Sequence, residues 1–592
     1  MVKWPIFLAV SAGVCAATPT QSFLSAGMRP EDRKRQPNYE LYDRVLDALQ
    51  VMQESYFETW VGTWPSAIDW TAAVLGTHVA GALQSIAMGL DGPRAAGISQ
   101  LNTRENTVSL YYSQLIGFYF GQDAFSLRNQ AFDDMLWVVL GWLDTIRFAN
   151  VYNKNHFKSE SGLRRPGAPP PQGWHGRIWL PAFSHRARIF WHLASAGWDT
   201  KLCGGGMNWN PRLTPYKNAI TNQLYIAASV NMYLFFPGDE NTSPFTLEPD
   251  PKPPNPQGTA NWGWGPRDPK YLEAAIDAYK WLASSRMTNS QGLFADGFHI
   301  SGYPSSNNTK CDERDEMVYT YNQGVILTGQ RGLYQATGKV QYIREGHRLI
   351  RNVIAATGWH LGKDAPVDDI SDRNTAEFPR WYGLGRAGIL EEACDILGSC
   401  SQDAQTFKGI WMHHFTTFCA SLDPPLVEFP STSWWRQDNK DHLDSCRKYY
   451  NWLDHNAQAA LATRDADGKF GMWWTIGLFP NLPVSSIVMT PDILPDTPNA
   501  TDYRNEGVPN DPRWVGPKGP PGKIPGTRPK QPSYRPGQKV TTMGGMRRRQ
   551  DFSDPNDRGR GRTVETQSGG VALLRALWEI SRLSGRFVTP VP

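Results

Sequence analysis

Alternation of apolar and polar residues is scarce along this 592-residue chain, so a fold built from sheets is not expected. An excess of charge is missing too. The formal net charge of +4 is close to balance for this length and calls for neither nucleic acid nor an acidic partner. Beyond the N-terminal segment no run approaches eighteen apolar residues, which argues against stable membrane insertion. The end, Phe587-Val588-Thr589-Pro590-Val591-Pro592, lacks the hydrophobic tail of a glycolipid-anchor signal. No two cysteines have the spacing of a metal finger, and no fixed-period repeat marks an open solenoid. Composition does not change sharply before the last hundred residues, so one large domain over 17–592 is expected.

What is present points to a secretory route. Lys3, the apolar run Trp4 to Val14 and the small-residue site Val14-Cys15-Ala16 read as a signal peptide over 1–16, cleaved after Ala16. Cleavage leaves Cys203, Cys311, Cys394, Cys400, Cys419 and Cys446, an even number suited to disulfides in an oxidising compartment. Cys394 and Cys400 are close enough to close a local loop; pairing of the other four is open. Sequons stand at Asn241-Thr242-Ser243, Asn307-Asn308-Thr309 and Asn499-Ala500-Thr501. A secreted monomer, extracellular or wall-associated, is the expectation.

Apolar residues recur at helical spacing. Leu41, Val45, Leu46, Leu49, Met52 and Phe57 form one stripe within Tyr39 to Phe57. Further helices are expected over 67–87, 111–119, 130–148, 190–196, 216–235, 271–285, 319–337, 340–356, 404–422, 449–464 and 569–583. Helical hairpins joined by Gly- and Pro-rich loops suggest a ring with all-apolar inner helices and amphipathic outer ones. Two stretches, 237–269 and 491–562, are rich in Pro and poor in apolar residues, and should be irregular or disordered. The second carries Arg547-Arg548-Arg549, best read as part of a solvated loop.

The helix expected over 130–148 has a peculiarity. Its start, Ala131-Phe132-Asp133-Asp134-Met135-Leu136-Trp137-Val138-Val139-Leu140, is apolar all round except at two adjacent aspartates. Burying one carboxylate costs several kcal/mol, and burying two side by side forces their pKa values apart. Neighbouring helical positions differ by about 100°, which sets the carboxyl groups at roughly the 5–5.5 Å used by retaining glycosidases. Taken alone, an Asp-Asp pair in a first turn is more often a cap and a complement to the helix dipole. The apolar surround favours chemistry.

Other segments could bind sugar. Gly204-Gly205-Gly206-Met207-Asn208-Trp209-Asn210-Pro211 puts an aromatic and amides on a Gly-rich loop leading to Asn218 and Asn222. Amides donate and accept at once, which suits vicinal hydroxyls, and aromatic faces stack on sugar rings. Asp296-Gly297 presents one more carboxylate, and Tyr321-Asn322 again joins an aromatic to an amide. The 24 Trp and 22 Tyr fit either sugar stacking or aromatic helix packing. Singly, each of these segments reads more readily as a turn or cap.

At these residues the chain resembles glycoside hydrolase family 76, the fungal and bacterial endo-α-1,6-mannanase family. The resemblance runs through Gly62-Thr63-Trp64-Pro65, Ile68-Asp69-Trp70-Thr71, Asp133-Asp134, Trp209 to Asn222, Asp296-Gly297, Tyr319 to Gly324, Phe407-Lys408-Gly409-Ile410 and Gln567-Ser568-Gly569-Gly570. It covers most of Tyr39 to Arg464. It implies an (α/α)6 barrel and retaining cleavage of α-1,6-mannosidic bonds, in mannan or mannoprotein glycans, with neither cofactor nor metal. Carried over, Asp133 resembles the nucleophile and Asp134 the general acid/base. Trp209, Asn218, Asn222, Asp296, Tyr321 and Asn322 resemble cleft residues. The two inserts and the missing anchor signal depart from the membrane-anchored members. Transglycosylation onto a glucan or glycolipid-anchor acceptor would use the same residues. A non-catalytic wall-glycan-binding protein and a polysaccharide lyase are the rivals from other classes.

Overall fold

The computed structural model describes residues 39–89, 98–157, 173–241, 265–370, 378–427, 434–480, 500–505 and 554–584. The signal segment, the Arg547–Arg549 run and most of both inserts lie outside them. Six helices form a closed inner ring, each packed on the next: α2 (Asp69–Gly89), α5 (Phe132–His156), α7 (Ala219–Phe235), α9 (Tyr321–Thr337), α11 (Gln402–Cys419) and α14 (Val564–Ser584), with α14 returning to α2. An outer layer covers them. Here α3 (Ile98–Gly121) lies on α2, the one-turn α4 (Ala124–Leu127) leads into α5, and α6 (Leu180–Ser195) lies on α5, α8 (Pro269–Ser284) on α7 and α10 (Gln341–Ala356) on α9. The last gap is filled by α12 (Trp434–Arg447) and α13 (Tyr450–Ala462), and α1 (Tyr39–Tyr56) closes the layer on α14. This is the (α/α)6 barrel, and the layers follow from sequence pattern.

Inner helices are apolar and small-residue-rich on every side. In α2 the run from Thr71 to Leu83 is buried without a break. Among the described residues α2 alone is long and apolar enough to cross a membrane, and 83% of that stretch is buried inside the barrel. Where α11 crosses α14, Gly409 faces Gly569 so closely that a Cβ on Gly409 would sit 3.0 Å from the Gly569 Cα. Outer helices have one apolar stripe: Ile343, His347, Ile350, Val353 and Ile354 of α10 point inward, three and four residues apart.

Several helical spans depart from expectation. Helices α3 and α6 start well before the expected 111–119 and 190–196, α5 runs past 148 to His156, and α12 was not foreseen. Its sequence WWRQDNKDHLDSCR is mostly polar, and its buried residues are only His442 and Cys446. A disulfide from Cys446 to Cys419 ties it to α11, beside the pairs Cys394–Cys400 and Cys203–Cys311. The end of the second insert is irregular but tightly held. Arg560 donates to Gln402 at 2.8 Å, Arg558 to the Ile396 carbonyl at 3.0 Å, and Arg562 pairs with Asp554 and Asp557.

The inner helices all begin at the same end. Asp69-Trp70, Asp133-Asp134, the cap residue Asn218, Tyr321-Asn322, Asp403 and Glu565 each stand at the start of one of them. Glu565 links three of these starts by accepting from Thr71 at 2.9 Å and Gln402 at 2.8 Å. Six positive helix ends therefore converge on one mouth, which favours negative charge there.

Candidate active site

Short strands and loops shape that mouth. The sheet β1 (Lys217–Asn218), β2 (Gly297–His299) and β3 (Glu313–Asp315) is antiparallel, with Asn218 opposite Gly297 and Gly297 opposite Asp315. It sets Tyr216, Asp296 and Asp315 side by side. The Gly-rich loop is pinned from several directions: the Cys203–Cys311 disulfide at its base, Lys217 donating to the Gly206 carbonyl at 2.6 Å, and Asn222 clamping Met207 through its N–H (2.8 Å) and its carbonyl (3.2 Å). Gly206, at φ +90°, lies flat on the Trp281 ring, where a Cβ would come within 2.6 Å. The loop's purpose shows at Trp209. Its carbonyl accepts the Phe132 N–H at 2.9 Å, so the loop caps the helix that carries the aspartate pair.

Asp133 and Asp134 face a pocket of about 220 Å³ lined by Ile68, Trp70, Trp137, Trp209, Tyr321, Asp403, Phe407 and Arg504. Larger hollows beside Asp364 and Tyr449, and beside Arg147 and Glu579, each contain a single carboxylate residue. Asp133 is 6% exposed. Asp134 is partly open and also does the capping foreseen as the bland alternative, accepting the Ala131 N–H at 3.1 Å. Ala131 has no side-chain acceptor to return, so this is only half of a capping box. The Asp134 N–H donates to Asp133 Oδ1 at 3.1 Å, which locks the pair in register.

Burial pushes the Asp133 carboxyl up to about 6, against the pull of the Arg504 charge and hydrogen bonds from backbone N–H groups and the Trp209 side chain. Asp134 is pushed well above the carboxylate range, first by burial and then by the charge of Asp133. The pair titrates as a unit, with Asp133 the more readily ionised member. A third carboxyl, Asp403, accepts from the Trp70 indole at 3.0 Å and is also raised by burial. Trp70 stacks on Trp137 at 5.8 Å, and Tyr321 lies flat on Phe407 at 3.8 Å, giving aromatic walls.

Of the residues singled out in the sequence, Asp133, Asp134, Trp209 and Tyr321 meet in the pocket. Asp296 and Asn322 are not among the pocket's lining residues; Asp296 accepts from Asn322 at 3.0 Å and from the Tyr216 hydroxyl at 2.7 Å. Asn218 and Asn222 do not reach it. The first caps α7 by accepting the Thr221 N–H, and the second holds Met207, so both shape the mouth from behind. Asp403 and Arg504 were missed. Among the described residues two groups have metal-ligand proximity, His347/His442/Cys446 and Cys394/Asp395/Cys400, but their cysteines are in disulfides and offer no thiolate.

Residues 266–477 match the family model of glycosyl hydrolase family 76, a stretch that does not include the aspartate pair. Mannan endo-1,6-alpha-mannosidase DFG5 of Saccharomyces cerevisiae is 23% identical over 223 residues, 36% of this chain and 34% of that protein. A second curated relative, from Schizosaccharomyces pombe, is 21% identical over 279 residues, 46% of each chain. The chain thus aligns with between a third and a half of the length of these relatives. Among solved structures, alpha-1,6-mannanase GH76A of Salegentibacter sp. HEL1_6, an inactive variant with alpha-1,6-mannotetrose, superposes with TM-score 0.46 at 14% identity. It covers 91% of this chain and 99% of that one. Dfg5 of Chaetomium thermophilum with glucosamine gives 0.44 at 14% identity, covering 74% and 84%.

Proposed function

We propose that this glycoside hydrolase family 76 chain is a secreted, retaining glycosidase that cleaves α-1,6-mannosidic bonds inside mannan. The observation that carries the reading is the pair of adjacent carboxyls in one pocket whose protons are held unequally. The named activity of the budding-yeast relative supplies the substrate class. Three disulfides suit an oxidising, extracellular setting.

The chemistry follows from the unequal pair. Asp133, ionised, attacks the anomeric carbon through an oxocarbenium-like transition state and forms a covalent mannosyl-enzyme. Asp134, protonated, delivers its proton to the departing O6. In the second half, Asp134 as carboxylate takes a proton from water, which attacks the same carbon and regenerates Asp133. Trp70, Trp209 and Tyr321 offer aromatic faces to the sugar rings. The test is incubation of linear α-1,6-mannan with the protein and with Asp133→Asn. Shortened oligosaccharides from the first and none from the second are expected; equal cleavage by both would overturn the assignment.

A further inference from the structure

The pocket holds a third carboxyl that the double displacement does not use. Asp403 lines it together with Asp133 and Asp134 but comes from a different wall. In the ring order α2, α5, α7, α9, α11, α14, helix α11 stands three places from α5, directly across the barrel. The two helices meet below the mouth: His413 of α11 bonds Asp144 of α5 at 3.0 Å, and the His414 ring lies 6.4 Å from that of Trp137. Above this floor the pocket opens between them. Each wall repeats one pattern, an aspartate at the rim and an aromatic about one turn deeper: Asp133 above Trp137, and Asp403 above Phe407.

An aspartate at a helix start is usually a cap, but Asp403 is not used as one. Ser401 caps α11, its hydroxyl accepting the Ala404 N–H at 3.1 Å. Among the described residues Asp403 has one hydrogen bond, from the Trp70 indole to Oδ1 at 3.0 Å. Trp70 is itself stacked on Trp137, so Oδ1 is fixed and Oδ2 is left without a donor. The side chain is half-buried, and a carboxylate oxygen withdrawn from water is stabilised by any donor that enters the pocket. Arg504 and Arg560 act on Asp403 through space, without an ion pair among the described residues. The three carboxyls are also too widely spaced to share one cation. Among the described residues two groups bring three ligand atoms within 4.8 Å of one another, and neither includes Asp403. A neutral partner carrying several O–H groups fits these conditions.

We propose, resting on the glycosidase reading above, that Asp403 is a substrate-binding residue whose free oxygen accepts the 3- or 4-hydroxyl of the sugar ring attacked by Asp133. The assignment of hydroxyls follows from the opposed walls. A pyranose ring with its anomeric carbon toward α5 turns C3 and C4, on its far edge, toward α11 and Asp403. An ionised carboxylate only accepts, which suits two neighbouring hydroxyls. In a 1,6-linked chain both of these hydroxyls are free. The site therefore selects on the C3–C4 edge of the ring, while the aspartate pair acts at C1.

The experiment measures kcat/KM of the full-length chain, of Asp403→Asn and of Asp403→Ala on an aryl α-1,6-mannobioside and its 2-, 3- and 4-deoxy analogues. The missing hydroxyl is on the ring that bears the aryl group. Asparagine keeps the shape and an acceptor for Trp70, whereas alanine removes both, and either variant that folds decides. Losing a hydrogen bond to a charged group costs about ten- to a hundredfold. The unaltered chain should lose that factor with the 3- or 4-deoxy substrate. The variants should lose it with the parent and then be indifferent to the same hydroxyl, so that the two losses do not multiply. Variants that suffer from each deoxy change as the unaltered chain does, or that lose sensitivity at the 2-hydroxyl alone, would overturn the proposal. The first of these is what a side chain that merely holds Trp70 would give. If the unaltered chain cleaves no mannobioside, the comparison is read from saturation-transfer NMR on methyl pyranosides. Binding that needs the 3- or 4-hydroxyl and is lost in the variants keeps the role of Asp403 and fails the mannan reading; no binding of any pyranoside overturns both.

Discussion

Replacing Asp133 by asparagine should disable the protein and stabilise it at once. The folded carboxyl is held at about 6 against an ordinary 3.8, so it keeps its proton more tightly folded than unfolded. Folding stability must then fall as pH rises from about 4 to about 6, and stay lowered above that. A difference of about two units, at 1.36 kcal/mol each, makes the ionised carboxylate a burden of about 3 kcal/mol at neutral pH. Asparagine removes it, less whatever Arg504 loses when its partner becomes neutral, leaving a net gain of about 1–3 kcal/mol. At about 2.1 cal/mol/K of unfolding entropy per residue, that is roughly 1–3 °C in melting temperature for a chain of this size. Melting followed from pH 4 to pH 8 should show the two proteins coinciding at the acid end and separating by pH 7, while mannan cleavage is lost. A variant less stable at pH 7, or a gap independent of pH, would refute the burial argument.

Asp134→Asn should cut kcat by about 10²–10⁴ on mannan and far less on an aryl mannoside whose leaving group needs no proton, a contrast read directly from the two rates. Gly206→Ala drives a Cβ into the Trp281 ring at a left-handed position, costs roughly 1–3 kcal/mol, and should raise KM by moving Trp209; melting and steady-state kinetics check both. Opening the Cys203–Cys311 bridge with paired serines should cost about 2–5 kcal/mol and loosen the same loop, measured by denaturant unfolding.

Much of this architecture can be read from periodicity because both layers leave strong patterns: continuous apolar runs for inner helices and single stripes for outer ones. Helix α12 leaves none, since it is held by a disulfide and two buried residues rather than by a stripe. Ring closure is equally invisible, being a contact between α2 and α14 at opposite ends of the chain. The aspartate pair is legible because it breaks an apolar surround. Asp403, one residue after a helix start and immediately before the buried Ala404–Phe407 run, reads as a dipole complement. Arg504 lies in a stretch whose composition spells loop, and its anchors Asp315, Tyr319 and Ser401 are about 100 to 190 positions away along the chain. Asn218 and Asn222 have the chemistry to bind hydroxyls, yet backbone N–H groups claim them first.

The central claim is that two adjacent carboxyls carry out double displacement on an α-1,6-mannoside. Its most direct test is ¹H NMR of the reducing end released in the first minutes of digestion of linear α-1,6-mannan. The α-anomer appearing first, before mutarotation, is the predicted result. The β-anomer appearing first would contradict the account.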